Sequence, residues 1–184
     1  CNNLGVSREQ GLAGEKDLAA ANQAYERGCE LGYAKACNNL GLNLVLGNGV
    51  EPDKARGMSF FGRACAAEHG QGCQNLAIGF RDGAGGVEAN PTRALELFER
   101  GCELGYAPAC DDAGLMLVQG KGIERDEARG MNFFERACQG KDGGGCYNLG
   151  IGYKQGVGGR DKDVAKVREL FARACELGHK PGCQ

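Results

Sequence analysis

Ten of the eleven cysteines stand in pairs with seven residues between partners: Cys29/Cys37, Cys65/Cys73, Cys102/Cys110, Cys138/Cys146 and Cys175/Cys183. Two chemistries use cysteine so densely, disulfide bonding in an oxidising compartment and thiolate ligation of zinc. Zinc sites bring cysteines together as C-x2-C or a similar close pair, with four ligands, and C-x7-C is not that pattern. The pairs are therefore expected to be disulfides, Cys1 is expected to be one free thiol, and no metal site is expected. The two histidines, His69 and His179, each follow a paired cysteine by four residues and offer three ligands at most per copy. Other copies hold Tyr33, Tyr106 and Asp142 at that position, as befits an exposed turn residue of free identity.

The remaining candidates for catalysis are sparse. A serine acyl-enzyme needs a serine beside a base, and neither Ser7 nor Ser59 begins an S-x-x-K; no K-T-G follows, and Thr92 is the sole threonine. Carboxylates are scattered singly, as on solvated helix faces. Glycine-x-glycine segments recur without the lysine–serine or lysine–threonine pair of a phosphate loop, so geometry explains them better than ligand binding. No catalytic residue and no cofactor are expected.

The elements that must position these cysteines follow from their period. Cys1, Cys37, Cys73, Cys110, Cys146 and Cys183 are 36 or 37 residues apart, the mark of a repeat array. Residues 1–184 are read as one array with repeats at about 1–36, 37–72, 73–109, 110–145 and 146–182. In the second repeat Cys37, Leu40, Gly41 and Leu44 make the i, i+3, i+4, i+7 stripe of a helix. Gly47, like Gly11, Gly83, Gly120 and Gly156, is placed to end that helix in a left-handed conformation. Gly49, Gly85, Gly122 and Gly158 keep the connection tight, with Ala13 as the departure in the first repeat. A second helix begins near Asp53, Asp17, Asp126 and Asp163, and at Asn90–Pro91 in the third repeat. Its expected buried stripe is Gly57, Phe60, Phe61, Ala64, matched by Ala21, Ala24, Tyr25, Gly28; Ala94, Leu97, Phe98, Gly101; Gly130, Phe133, Phe134, Ala137; and Val167, Leu170, Phe171, Ala174. Each repeat is thus expected to be a short helix, a glycine-rich turn and a longer helix, stacked because neither can bury its stripe alone. The cysteine pair would clamp one repeat to the next.

Repeats two and four share GL-x-LV-x-G-x-G and D-x-ARGM-x-FF-x-RAC, and repeats one and three share RGCELGYA, which points to duplication of a unit of about 73 residues. CNNLG at Cys1 repeats CNNLG at Cys37, so Cys1 is on the repeat phase; its partner is expected eight residues upstream, and both ends are expected to be cut from a longer protein. Lipidation of a mature first residue is the competing account of Cys1. The formal charge of −2, with acids and bases interleaved, excludes a basic nucleic-acid face. No run approaches the roughly 18 apolar residues of a membrane span.

The succession C-x-N-L-G, G-x-G and D-x3-A-x3-F-x-R-A-C resembles the Sel-one-like repeat (SLR), a relative of the tetratricopeptide repeat. The seven-residue cysteine spacing resembles the cysteine-rich Hcp-type subgroup. The resemblance covers the whole chain; Arg8, which replaces an apolar residue, and Ala113, which replaces a leucine, are local departures. It implies an all-α, right-handed solenoid whose short helices line a concave surface, and adaptor or scaffold roles. It also implies an alternative, weak β-lactam binding or hydrolysis as described for some Hcp-type relatives.

On such a surface Asn3, Asn39, Asn75, Asp112 and Asn148 would form a polar ladder, with Asn2, Asn38, Gln74, Asp111 and Tyr147 beside it. An asparagine amide both donates and accepts, which suits the backbone of an extended peptide; alternatively the amides secure the helix or the adjacent repeat. Asn43, Arg81, Asp82, Met116, Gln119, Lys154 and Gln155 vary between copies, where choice of partner would be expressed. The expectation is a monomeric protein- or peptide-binding scaffold in the periplasm or outside the cell, with the mitochondrial intermembrane space as the alternative compartment and a purely architectural spacer as the alternative role.

Overall fold

The computed structural model describes residues 1–12 and 14–183; Ala13, the departure from the turn glycines, lies outside them. Among the described residues there are ten α-helices, a closing 3-10 turn (Lys180–Cys183) and no strand. They form two compact units, Cys1–Asn90 and Pro91–Gln184. The first contains α1 (Asn2–Gln10), α2 (Leu18–Glu30), α3 (Ala34–Leu46), α4 (Lys54–Ala66) and α5 (Gly70–Asp82). The second contains α6 (Pro91–Glu103), α7 (Ala107–Gln119), α8 (Glu127–Gln139), α9 (Gly143–Gln155) and α10 (Val164–Glu176).

The helix boundaries follow from local chemistry. Asp17, Asp53, Asp126 and Asp163 cap α2, α4, α8 and α10, each accepting a backbone N–H three residues on at 2.9–3.0 Å. Proline opens α6, where the missing N–H removes no helical bond. Gly11, Gly47, Gly83, Gly120 and Gly156 close the first helix of each repeat with φ between 65° and 74°, a conformation in which a Cβ is unfavourable.

The expected division into short and longer helices does not hold, since α3 and α4 are both 13 residues long. The first helices start three residues before the cysteine, at Ala34, Gly70, Ala107 and Gly143. Their N-caps are Tyr33, His69, Tyr106 and Asp142. His69 Nδ1 accepts the Gly72 N–H at 3.1 Å, and Asp142 Oδ2 accepts that of Gly145 at 2.7 Å. In those two copies the position read as a free turn residue is a helix cap.

Within a repeat the helices cross at glycine. A methyl on Gly41 would lie 2.7 Å from the Phe61 ring and 3.1 Å from the Gly57 carbonyl oxygen. Gly114, Phe134 and Gly130 repeat this crossing in the second unit. The close approach lets the aromatic ring bury against backbone, worth about 1.5–3 kcal/mol for a fully buried phenylalanine. Most of the expected stripe is buried, but Phe133, Val167 and Phe171 are only half-buried. Phe133 carries the Arg136 guanidinium over its ring, and Val167 and Phe171 line an apolar groove with Tyr153 and Val164.

Five disulfides join Cys29–Cys37, Cys65–Cys73, Cys102–Cys110, Cys138–Cys146 and Cys175–Cys183, with Cα separations of 4.4–4.8 Å. Four of them tie the second helix of one repeat to the first helix of the next, and the last ties α10 to the 3-10 turn. Cys1 is free and exposed.

Side-chain complementarity supplements the sulfur ties. In the first unit Met58 fills the space left by Gly79, and Gly85 approaches to where a Cβ would lie 2.8 Å from the Lys54 carbonyl oxygen. Met131, Gly152 and Gly158 repeat this arrangement in the second unit. Between α2 and α3 the same positions hold amides: Asn43 donates to Asn22 Oδ1 at 2.8 Å, and Asn22 donates to the Asn48 carbonyl at 2.7 Å. Asn43 is 3 % exposed and Met116 8 %. These two variable positions, assigned above to partner choice, are therefore interior; they vary because each inter-repeat contact is packed by its own pair.

Candidate interaction face

The first helices of successive repeats pack on one another, α3 on α5 in the first unit and α7 on α9 in the second. This brings the two polar rows into register. Asn39 Nδ2 donates to Asn2 Oδ1 at 3.3 Å, and Asn75 Nδ2 to Asn38 Oδ1 at 2.8 Å. In the second unit Asn148 Nδ2 donates to Asp111 Oδ1 at 2.8 Å. In each rung the residue two after the cysteine reaches the residue one after the preceding repeat's cysteine.

The rungs consume part of each side chain's capacity. A primary amide has two N–H donors and an oxygen with two lone pairs. One donor of the later residue and one lone pair of the earlier are committed to the repeat junction. Asn38, at 1 % exposure, is sealed within that junction. Asn3 is exposed, while Asn39, Gln74, Asn75, Asp112 and Asn148 are half-buried; Gln74 and Asp112 also have partners. Arg81 and Gln119 are exposed near the ends of α5 and α7. The Arg81 guanidinium grips Asp82 at 2.7 and 3.0 Å and holds its carboxyl below the usual range.

A second set of residues, missed in the sequence, accompanies the polar ones within each unit. Val6, Leu42, Ile78, Leu115 and Ile151 stand three residues after Asn3, Asn39, Asn75, Asp112 and Asn148, and all five are half-buried. A spacing of three puts each apolar residue on the same helix face as its polar neighbour. The signal was present as an apolar residue five positions after Cys1, Cys37, Cys73, Cys110 and Cys146. Each first helix thus carries one polar and one aliphatic group three residues apart, of which Val6 and Leu115 also pack against the core.

The electrostatics differ from rung to rung. Where the first unit has the neutral Asn38, the second has Asp111. Burial pushes the Asp111 carboxyl up to about 7; its Asn148 hydrogen bond pulls the other way, and the nearby Asp142 and Asp112 raise it further. Burial, with Lys35 nearby, lowers the His69 imidazole below its ordinary value. Tyr25, wholly buried, donates to Glu9 Oε2 at 2.7 Å.

Ser7 lies in α1 and Ser59 on the exposed face of α4. Among the described residues no three histidine, cysteine, aspartate or glutamate side chains cluster closely enough to hold a metal ion. Among them, too, no helix is long and apolar enough to cross a membrane.

The family of Sel1 repeats matches five segments of the chain, residues 1–33, 34–69, 70–106, 107–142 and 144–179. Among solved structures, a Sel1 repeat protein from Oxalobacter formigenes is 26 % identical and superposes with a TM-score of 0.89 over 98 % of this chain and 71 % of its own. A protective antigen of uropathogenic Escherichia coli strains displaying an SLR fold is 23 % identical, with a TM-score of 0.85 over 98 % of this chain; the match spans only 38 % of the antigen. Helicobacter pylori cysteine rich protein B is 24 % identical, with a TM-score of 0.58 over 74 % of this chain and 97 % of its own. The last two likenesses concern the fold alone. No curated protein matches the chain.

Proposed function

The chain belongs to the Sel1 repeat family, and from that premise we propose that it is a non-catalytic scaffold in which the first helices within a unit capture an extended segment of a partner protein. The observation that carries this reading is the paired row on those helices, an amide or carboxylate at one position and an aliphatic side chain three residues on. An extended peptide has matching needs, because its backbone seeks donors and acceptors while alternate side chains seek apolar contact. Within the first unit the uncommitted valences of Asn75, and within the second those of Asn148, would meet the backbone, while Asn39, bonded to both Asn2 and Tyr25, would brace the first of these rungs. Leu42 and Ile78 in the first unit, and Ile151 in the second, would take the side chains. Asn3, Asp112, Gln74, Arg81 and Gln119 would flank the segment, and the buried Asn38 would hold the rung behind it.

The disulfides support a working site in an oxidising compartment, the periplasm or the cell exterior. Nothing in this role calls for a cofactor, and the capturing form is taken to be the monomer.

A displayed library of random linear peptides, panned on the oxidised protein, tests the proposal. Peptides enriched on wild type should be lost at least about tenfold on Leu42→Ser/Ile78→Ser, or on Ile151→Ser for those held by the second unit, a penalty of about 1.4 kcal/mol or more. Capture that survives both that variant and Asn39→Ala/Asn75→Ala would favour the architectural spacer. Nitrocefin turnover abolished by Ser7→Ala/Ser59→Ala would instead favour hydrolysis and overturn the scaffold reading.

A further inference from the structure

The α7–α9 rung differs in kind from its counterpart in the first unit. Asn38 and Asn75 are both neutral, whereas Asp111 accepts from Asn148 with a carboxyl oxygen. The surroundings make this costly for an anion. The site where a Gly144 Cβ would stand lies 3.1 Å from both Asp111 Oδ2 and Asp142 Oδ2, so the two carboxyl groups face the same small space. Asp142 is the N-cap of α9, its Oδ2 already accepting from Gly145. Asp112 on α7 adds another acid nearby. Tyr106, at the head of α7, lies near Asp142 and Asp112; Lys141 is exposed in the α8–α9 turn, and the His179 ring lies against Tyr147. The Asn148 amide is the hydrogen-bond partner of Asp111.

We propose that the Asp111 carboxyl makes the α7–α9 junction a pH-responsive tie, closed while Asp111 carries its proton and loosened once that proton passes to solvent. The neutral acid behaves as Asn38 does, accepting one amide N–H and leaving no net charge behind. The anion faces Asp142 and Asp112 across a partly dry gap with one amide to answer it. The carboxyl pushed up to about 7 places the change near neutrality. Because its pKa is raised on folding, the stabilising contribution is complete below the ordinary aspartate range. It drains away as pH rises through that range toward about 7, and little more is lost beyond. The inference does not depend on what the interaction face binds.

Side-chain carboxyl carbon NMR of the oxidised protein tests it directly. Asp111 should titrate near neutrality, and amide protection in α9, corrected for intrinsic exchange, should fall at least about tenfold between pH 5 and pH 8. Asp111→Asn, which restores the amide of the first unit, should remove that fall. In Asp142→Asn the Asp111 midpoint should move toward the ordinary value. An Asp111 midpoint near 4 overturns the proposal on wild-type protein alone. So does the same fall in protection in the Asp111→Asn variant.

Discussion

His69 shows how much one side chain can decide. It accepts the Gly72 N–H through Nδ1 as the cap of α5, and only an unprotonated ring nitrogen can do so. Burial holds its pKa below the ordinary value, so the unfolded chain takes up the proton first as the solution is acidified. Its stabilising contribution is complete above about pH 6.5 and is lost as pH falls through the lowered folded value. His69→Ala should cost about 1 kcal/mol at pH 7.5, as cap removals do. His69→Asp should keep the cap, as Asp142 does in α9, and abolish the loss on acidification. Denaturant midpoints at pH 7.5 and pH 5 measure both, and the difference between wild type and His69→Asp isolates this residue from the opposite trend at Asp111. A His69→Asp protein as acid-sensitive as wild type would refute this role. None of it was legible in the sequence, where one position holding tyrosine, histidine and aspartate looks unconstrained. The capping role resides in the backbone, and each side chain fills it differently or leaves it to its own carbonyl, as Tyr33 and Tyr106 do for the Ala36 and Ala109 N–H groups.

At the scale of helices, period and turn chemistry carried most of the information. The aspartate caps, the left-handed glycines and Pro91 at the start of α6 follow from spacing alone, because each rule depends on local backbone geometry. What spacing could not carry is which side chain fills which neighbour. Met58 lies against Gly79, and Met131 against Gly152. The equivalent positions hold the bonded amides Asn22 and Asn43 in α2 and α3, and Leu95 with Met116 in α6 and α7, where Leu95 is only half-buried. What fits at one position thus depends on its opposite number, which is a rule about pairs. Gly79→Met should therefore destabilise the first unit by roughly 1–3 kcal/mol through overpacking. Adding Met58→Ala, which exchanges the large partner for a small one, should recover most of that loss. A double-mutant cycle from denaturant midpoints reads the coupling, and additive effects would show that the two positions do not share one space. The interaction residues are similarly half-legible: the asparagine row is conspicuous and its tie to the adjacent repeat was one of two readings, but which residue each amide reaches is settled only where α3 meets α5 and α7 meets α9.

For the molecule as a whole, sulfur chemistry dominates. Alkylation of unreduced protein should add one label, at Cys1, and alkylation after denaturing reduction should add eleven, counted by intact mass. Nine or more labels before reduction would replace the covalent picture with a thiolate one. Each bond closes a loop of about 9 residues, worth about 2.5 kcal/mol in the chain-entropy model. Reduction should therefore lower the thermal midpoint markedly, which circular dichroism with and without a strong reductant would register.

Every sulfur of the five pairs finds its mate eight positions along the chain. A polypeptide lengthening from its amino end exposes each correct partner long before the cysteines of later pairs arrive. Oxidation can then proceed in strict order from the first pair to the fifth, and a shuffling catalyst has little to correct. The same locality means that breaking one bond leaves the others closed, so damage by a reductant stays confined to a single junction.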